Sequence, residues 1–150
     1  MPQLAWMAHA DGFIFWYNKG WYEYTGATAK NMEGWGWQSV HDPEFLPSVL
    51  KRWQDSIATG KNFEMTFPLK GANGEFRSFL TRVTPVRGYD GKIIRWFGTN
   101  TDVTIEIKTQ EELLRRTTEL ESLQSQLIKV AEQVNEASRC KKETIDYLQL

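Results

Sequence analysis

The spacing of apolar residues changes character several times along this chain. Residues 4–9 and 13–17 are short apolar runs joined by Asp11-Gly12. Asp-Gly between two such runs predicts a β-hairpin, because both turn positions tolerate positive φ. Asn18 then caps a short helix over the sequence KGWYEYTG, which Gly26 ends. Residues 27–44 mix glycine with tryptophan and read as a packed loop with one helical turn. Over residues 45–59 the period is helical. Phe45, Val49, Leu50, Trp53 and Ile57 share one face, with Lys51, Arg52 and Asp55 away from it. Asp42-Pro43 is the start signal, Gly60 the stop, and Pro47 sits in the first turn, where its missing donor is harmless.

Over residues 62–70 the period drops to two, so Phe63, Met65, Phe67 and Leu69 share one face of a strand. Pro68 cannot donate to a ladder, which places that strand at a sheet edge. Asn73-Gly74 makes the next turn. Two long runs rich in aromatic and β-branched residues then flank Gly88-Tyr89-Asp90-Gly91, a second hairpin signal. Pro85 marks a bulge, or the end of pairing, in the first of them. The second run closes on the polar sequence Thr101-Asp102-Val103-Thr104.

After Thr104 the pattern becomes a heptad. Leu113, Leu120, Leu127, Val134 and Leu148 fall at one position, interrupted by Lys141, and Arg116, Leu123, Val130, Ala137 and Thr144 fall at the other. Residues 105–150 therefore read as one helix of roughly 70 Å. Glu111 with Arg115 and Glu112 with Arg116 are favourable i,i+4 pairs. Such a stripe is most economically covered by a second copy in a parallel coiled coil. Its seam is Leu113, Leu120, Leu123, Leu127, Val130 and Val134.

Composition sharpens the boundary. All eleven glycines, five prolines and seven tryptophans lie at or before Gly98. An aromatic-rich domain over residues 1–104 is thus followed by a helical segment over residues 105–150. A net charge of −1 gives no electrostatic footprint for nucleic acid or an anionic membrane. No apolar run approaches the roughly 20 residues that span a bilayer, and the N-terminus lacks a signal-peptide layout. With a single cysteine, Cys140, the expectation is a cytoplasmic protein.

Two strands, small helices, one longer helix and three strands form an α+β pattern: a five-stranded antiparallel sheet with helices on one face. The sequences LAWMAHADGFIFWYNKGWYEYTG, GWGWQSVHDPE, GEFRSFLTRVTPVR and GKIIRWFGTNTDVT resemble the PAS domains that feed sensor histidine kinases. The resemblance covers roughly residues 2–108. It implies strand order 2-1-5-4-3, which agrees with the edge position argued from Pro68. It also implies that Asp102 and Thr104 couple the sheet to the following helix.

A pocket, if present, is expected between the inner face of the sheet and the 45–59 helix, with Trp53, Phe63, Met65, Phe79, Leu80 and Phe97 as candidate lining. The identity of any cofactor stays open. Haem finds no histidine on the 45–59 helix, and a covalent flavin adduct finds no cysteine in the domain. His41 reads as a loop or cap residue, and His9, on the first strand, lacks metal-binding partners. Residues 105–150 hold no histidine to accept a phosphoryl group, no Gly-Lys-Ser/Thr loop exists, and no catalytic constellation is legible. The expectation is a non-catalytic sensory module, part of or related to the input region of a sensor histidine kinase in a phosphorelay. It would pair as a homodimer, with a small-molecule ligand or a kinase effector domain as further partners. The rival expectation is a constitutive interaction scaffold that binds no ligand.

Overall fold

A computed structural model describes residues 3–150; Met1 and Pro2 of the expected first domain lie outside the described residues. Strands β1 (Leu4–His9) and β2 (Ile14–Tyr17) form the first hairpin. Its turn closes through the Gly12 amide donating to the His9 carbonyl at 3.0 Å, with Gly12 at φ 95°, where glycine is favoured. Helix α1 (Lys19–Thr25) starts as expected: the Asn18 side chain accepts from the Trp21 amide, and Gly26 ends the helix in the left-handed conformation.

The next segment holds more structure than its composition predicts. It contains helix α2 (Ala29–Met32), capped by the Thr28 hydroxyl, and a 3-10 turn over Gly36–Val40. Gly36 is required there. A Cβ at this position would lie 1.8 Å from the Asn31 carbonyl oxygen. Helix α3 (Leu46–Thr59) begins one residue later than expected. Phe45 stays outside it, 42% exposed, and Ser56 takes a place on the buried stripe with Val49 and Trp53. The 49-53-56 spacing faces the sheet, while Leu50 and Ile57 flank it, half-buried.

Strands β3 (Phe63–Lys70), β4 (Phe76–Arg87) and β5 (Ile93–Asp102) complete an antiparallel sheet of order β2-β1-β5-β4-β3. That is the order the resemblance implies, and β3 lies at the edge, with Pro68 opposite Ser78. Pro85 does not mark the irregularity. It is paired opposite Trp96, and the register shifts between Val86 and Arg87. The β3 ladder has already ended at Val83, so β4 has a single neighbour where Pro85 stands.

The helices of this body cover the inner face of the sheet. Trp6, Trp96 and Phe63 rise from three strands and meet Trp53 of α3 edge-on, with ring centroids 5.8, 5.2 and 6.0 Å from it. T-shaped packing of this kind adds to the area that aromatic rings bury. Between Trp6 and the sheet lies Gly98, whose missing side chain makes room for the indole.

The chain divides into two units, one running to Ile105 and the other from Glu106 onward. Helix α4 (Thr104–Leu148) provides the second. Its Leu113, Leu120, Leu123, Leu127, Val130 and Val134 side chains are 54% to 69% exposed within one chain. Glu112 pairs with Arg116 at 3.0 Å as expected, but Arg115 pairs with Glu112 and Glu119 rather than with Glu111. No helix among the described residues is long and apolar enough to cross a membrane.

Candidate functional site: a core cavity and the end of β5

Two features of the first unit are functional candidates. One is a cavity of about 40 Å³ between the inner sheet face and the helices. Trp21 of α1, Trp37 of the 3-10 turn, and Val49 and Trp53 of α3 close it on the helical side. Trp6, Phe63, Phe67 and Val83 line it from the sheet, and the surface presented to the void is apolar.

Polar groups stand within this wall. The Trp6 indole N–H donates to the Asn100 side-chain oxygen at 2.9 Å, and the Asn100 amide donates to the Thr81 hydroxyl. This buried chain crosses β1, β5 and β4, and each member meets its neighbour. Among the described residues, three other buried side-chain polar atoms have no partner: Nε1 of Trp21, Nε1 of Trp37 and Nε2 of His41. All three residues line the cavity. An unmet buried donor or acceptor costs about 1–3 kcal/mol.

His41 is fixed by its surroundings. Its backbone bridges to Leu69 of β3, its ring packs 4.9 Å from that of Phe67, and its Nδ1 lies 2.9 Å from the Trp37 carbonyl oxygen. A carbonyl can only accept, so Nδ1 carries the hydrogen and Nε2 of the neutral ring is a bare acceptor. Burial lowers the imidazole pKa to about 4, against the opposing pull of the Trp37 carbonyl. The ring is therefore neutral near pH 7.

The second feature is the end of β5. Asp102 Oδ1 accepts from the Thr104 amide at 3.0 Å and from its hydroxyl at 2.7 Å. The Thr104 hydroxyl oxygen in turn accepts from the Ser78 amide of β4 at 2.9 Å. Arg77 donates to Asp102 Oδ2, and the Val103 amide donates to the Ser78 carbonyl. The first amides of a helix lack intrahelical partners, and a carboxylate at that end meets both this need and the helix dipole. Burial alone would raise the Asp102 pKa. Hydrogen bonds from the Thr104 hydroxyl, from Arg77 and from the Thr104 amide outweigh it and hold the carboxyl below its ordinary value.

Of the candidate lining residues, Trp53 and Phe63 stand at the cavity. Phe79 is fully buried away from it, edge-on to Tyr24. Met65 and Leu80 are half-buried and do not line it. Phe97 lies on the opposite face, 41% exposed, paired with Met7 and Thr84. Alternation on β5 sends Trp96, Gly98 and Asn100 inward, and so Phe97 outward. His9 also faces away from the core, with its ring stacked 4.4 Å from that of Phe15. His41 is the C-cap of the 3-10 turn, in line with its reading as a loop or cap residue, and it is also buried in the cavity wall. Among the lining residues, Thr81 and Asn100 carry no signal in the apolar pattern that marks them as site residues. The legible clue was a polar Asn100 at strand parity with Trp96 and Gly98.

Comparison with known proteins places this geometry. A family profile described as PAS fold matches residues 13–100. The uncharacterized protein y4lL of Sinorhizobium fredii is 34% identical over 112 residues, which span 75% of this chain and 13% of that protein. The peroxide stress-activated histidine kinase mak1 of Schizosaccharomyces pombe is 27% identical over 106 residues, spanning 71% of this chain and 6% of the kinase. The chain thus covers only a small part of the curated relatives it matches. Among solved structures, the PAS domain of a Colwellia psychrerythraea protein superposes with a TM-score of 0.57 at 17% identity, covering 68% of this chain and 86% of that one. With the strand order, the helices on one face and the matched residues in agreement, the chain belongs to the PAS-fold family.

Proposed function

We propose that this chain is a sensory input module in which a ligand or partner, bound by the body, biases the packing of α4 through the end of β5. The observation that carries this reading is the Thr104 hydroxyl. It belongs to the first residue of α4, yet it bonds Asp102 of β5 and the Ser78 amide of β4. A shift of either strand has a direct route to the start of the helix. The readout is a parallel coiled coil with a second copy, whose seam is Leu113, Leu120, Leu123, Leu127, Val130 and Val134. The Schizosaccharomyces pombe relative is named as a histidine kinase, which supports a kinase effector as the downstream partner. A phosphorelay in the cytoplasm is the setting this reading proposes. The module itself performs no catalysis in this reading.

Light scattering tests the readout. The intact chain is expected to run as a dimer, and the double variant Leu120→Asp with Leu127→Asp as a monomer with an unchanged fold. A double variant that stayed dimeric would move the interface off the helix.

A further inference from the structure

A second cleft, of about 440 Å³, opens on the surface between α1, the start of β1 and the turn that joins β3 to β4. It shares no lining residue with the core cavity. Three charged side chains line it: Glu23 of α1, Glu75 at the end of the turn and Arg77 of β4. Leu4 and Tyr24 add apolar wall. The Tyr24 hydroxyl is already engaged, donating to the Leu69 carbonyl at 2.6 Å.

These charges do not satisfy one another. Arg77 donates to Asp102 through Nε, and its terminal nitrogens form no hydrogen bond among the described residues. Glu75 accepts from the neutral Asn73 amide at 3.2 Å and pairs with no cation among the described residues. Glu23 meets Lys19 at 3.2 Å in an exposed i,i+4 contact, which holds weakly. Glu75 and Arg77 are two residues apart, so their side chains leave one face of the strand from positions roughly 7 Å apart. A molecule carrying both charges a few bonds apart bridges such a gap. A lone anion is drawn to Arg77 but repelled by the two carboxylates, and a lone cation meets the reverse.

Gly20 supplies an independent observation. It lies buried in the first turn of α1, and its φ is not in the left-handed range. A Cβ there would make only ordinary contacts, 3.6 Å from Asn18 Nδ2 and 3.6 Å from the Gln3 carbonyl oxygen. Alanine would fit and would favour the helix. Neither backbone nor packing demands glycine here, and its consequence is room in the cleft that it lines.

Resting on the sensory reading above, we propose that this cleft binds a small zwitterion of the amino-acid class, with Arg77 taking its carboxylate, Glu75 and Glu23 its ammonium, and Leu4 and Tyr24 an apolar substituent. The contacts to the charged groups are charge-assisted hydrogen bonds, the stronger kind. Arg77 also holds Asp102, so ligand and Asp102 share one guanidinium, and occupancy reaches the junction where α4 begins.

The test is an NMR titration of the full chain with L-leucine, with isoamylamine, which lacks the carboxylate, and with isocaproate, which lacks the ammonium. For a ligand of this size in an open cleft the titration runs from about 10 micromolar to about 10 millimolar. Leucine is expected to shift the backbone amide signals of Gly71, Asn73 and Glu75 saturably, leaving the indole signal of Trp35 in place. Each analogue should bind at least about tenfold more weakly, since it leaves one charged partner unmet. Glu23→Gln with Glu75→Gln, both at exposed positions, should erase the preference for leucine over isocaproate. Arg77→Gln should erase the preference for leucine over isoamylamine. Gly20→Ala should weaken leucine binding without lowering the melting temperature. No saturable shift at the three amides, either analogue binding as tightly as leucine, an unchanged preference in the folded double variant, or undiminished binding in Gly20→Ala would each overturn the assignment. Hydrogen exchange along α4 separates this from the sensory reading. Leucine binding with no change there overturns the relay and leaves the ligand class standing.

Discussion

The hydroxyl of Thr104 lies 2.7 Å from Oδ1 of Asp102, to which it donates, while its oxygen accepts from the Ser78 amide at 2.9 Å. One buried side chain thus serves two strands. Thr104→Val keeps the shape of the side chain and removes both bonds. It leaves the Ser78 amide without this partner and takes from Asp102 the strongest of the bonds that lower its pKa. The expected loss is about 1–2 kcal/mol in urea unfolding of the full chain, the range for an amide stripped of its partner. Thr104→Ser, which retains the hydroxyl, should lose far less. Equal losses would show that the methyl group, rather than the hydrogen bonds, matters here.

Gly98 and Trp6 face each other across β1 and β5. A Cβ on Gly98 would sit 2.2 Å from Cε2 of Trp6, a ring atom held in the core and unable to swing away cheaply. Gly98→Ala should therefore destabilise by about 3 kcal/mol, at the upper end of overpacking costs. It should also disturb the indole signal of Trp6, whose N–H donates to Asn100. A variant as stable as the parent would mean that β1 and β5 separate without penalty.

Trp53 touches rings from three strands and closes the cavity on the helical side. Trp53→Ala should cost about 3–5 kcal/mol, the range for removing a large aromatic from a core. Trp53→Phe should cost less and enlarge the void. A thermal melt of the two variants orders them. A smaller loss for the alanine change than for the phenylalanine change would place Trp53 outside the packing that holds the body together.

Much of this architecture is legible from residue order because its signals are local. Asn18 and Gly26 bound α1 through their own capping chemistry, and Pro68 marks an edge because it lacks a donor. The tertiary features are harder. Phe97 and Trp96 are neighbours in an unbroken apolar run, and only the pairing of β5 with β1 and β4 decides which one faces the core. A register irregularity between Val86 and Arg87 further blurs the parity. His41 is buried because a distant strand, β3, meets it at Leu69, and nothing near His41 in the chain announces that contact. The polar close at Thr101-Asp102-Val103-Thr104 showed where the sheet ends. Its bonds to Arg77 and Ser78, 25 and 26 residues away, were not legible.

The buried His41 also sets a pH dependence. Its folded pKa is lowered to about 4, while in the unfolded chain it returns to about 6.5. As pH falls through 6.5 the unfolded state takes up a proton that the folded state refuses until about pH 4, so stability declines across that window. The full loss is of the order of 3 kcal/mol, and this group contributes no slope above it. Asp102 acts in the same direction but at lower pH. Its carboxyl is held below the ordinary value, so its contribution is present above the ordinary carboxylate range and is lost as pH falls through its folded pKa. Urea unfolding at a series of pH values should therefore show one decline between pH 6.5 and 4 and a second below it. His41→Gln should flatten the first and leave the second. A first decline that persisted in this variant would assign it to groups other than the imidazole in the cavity wall.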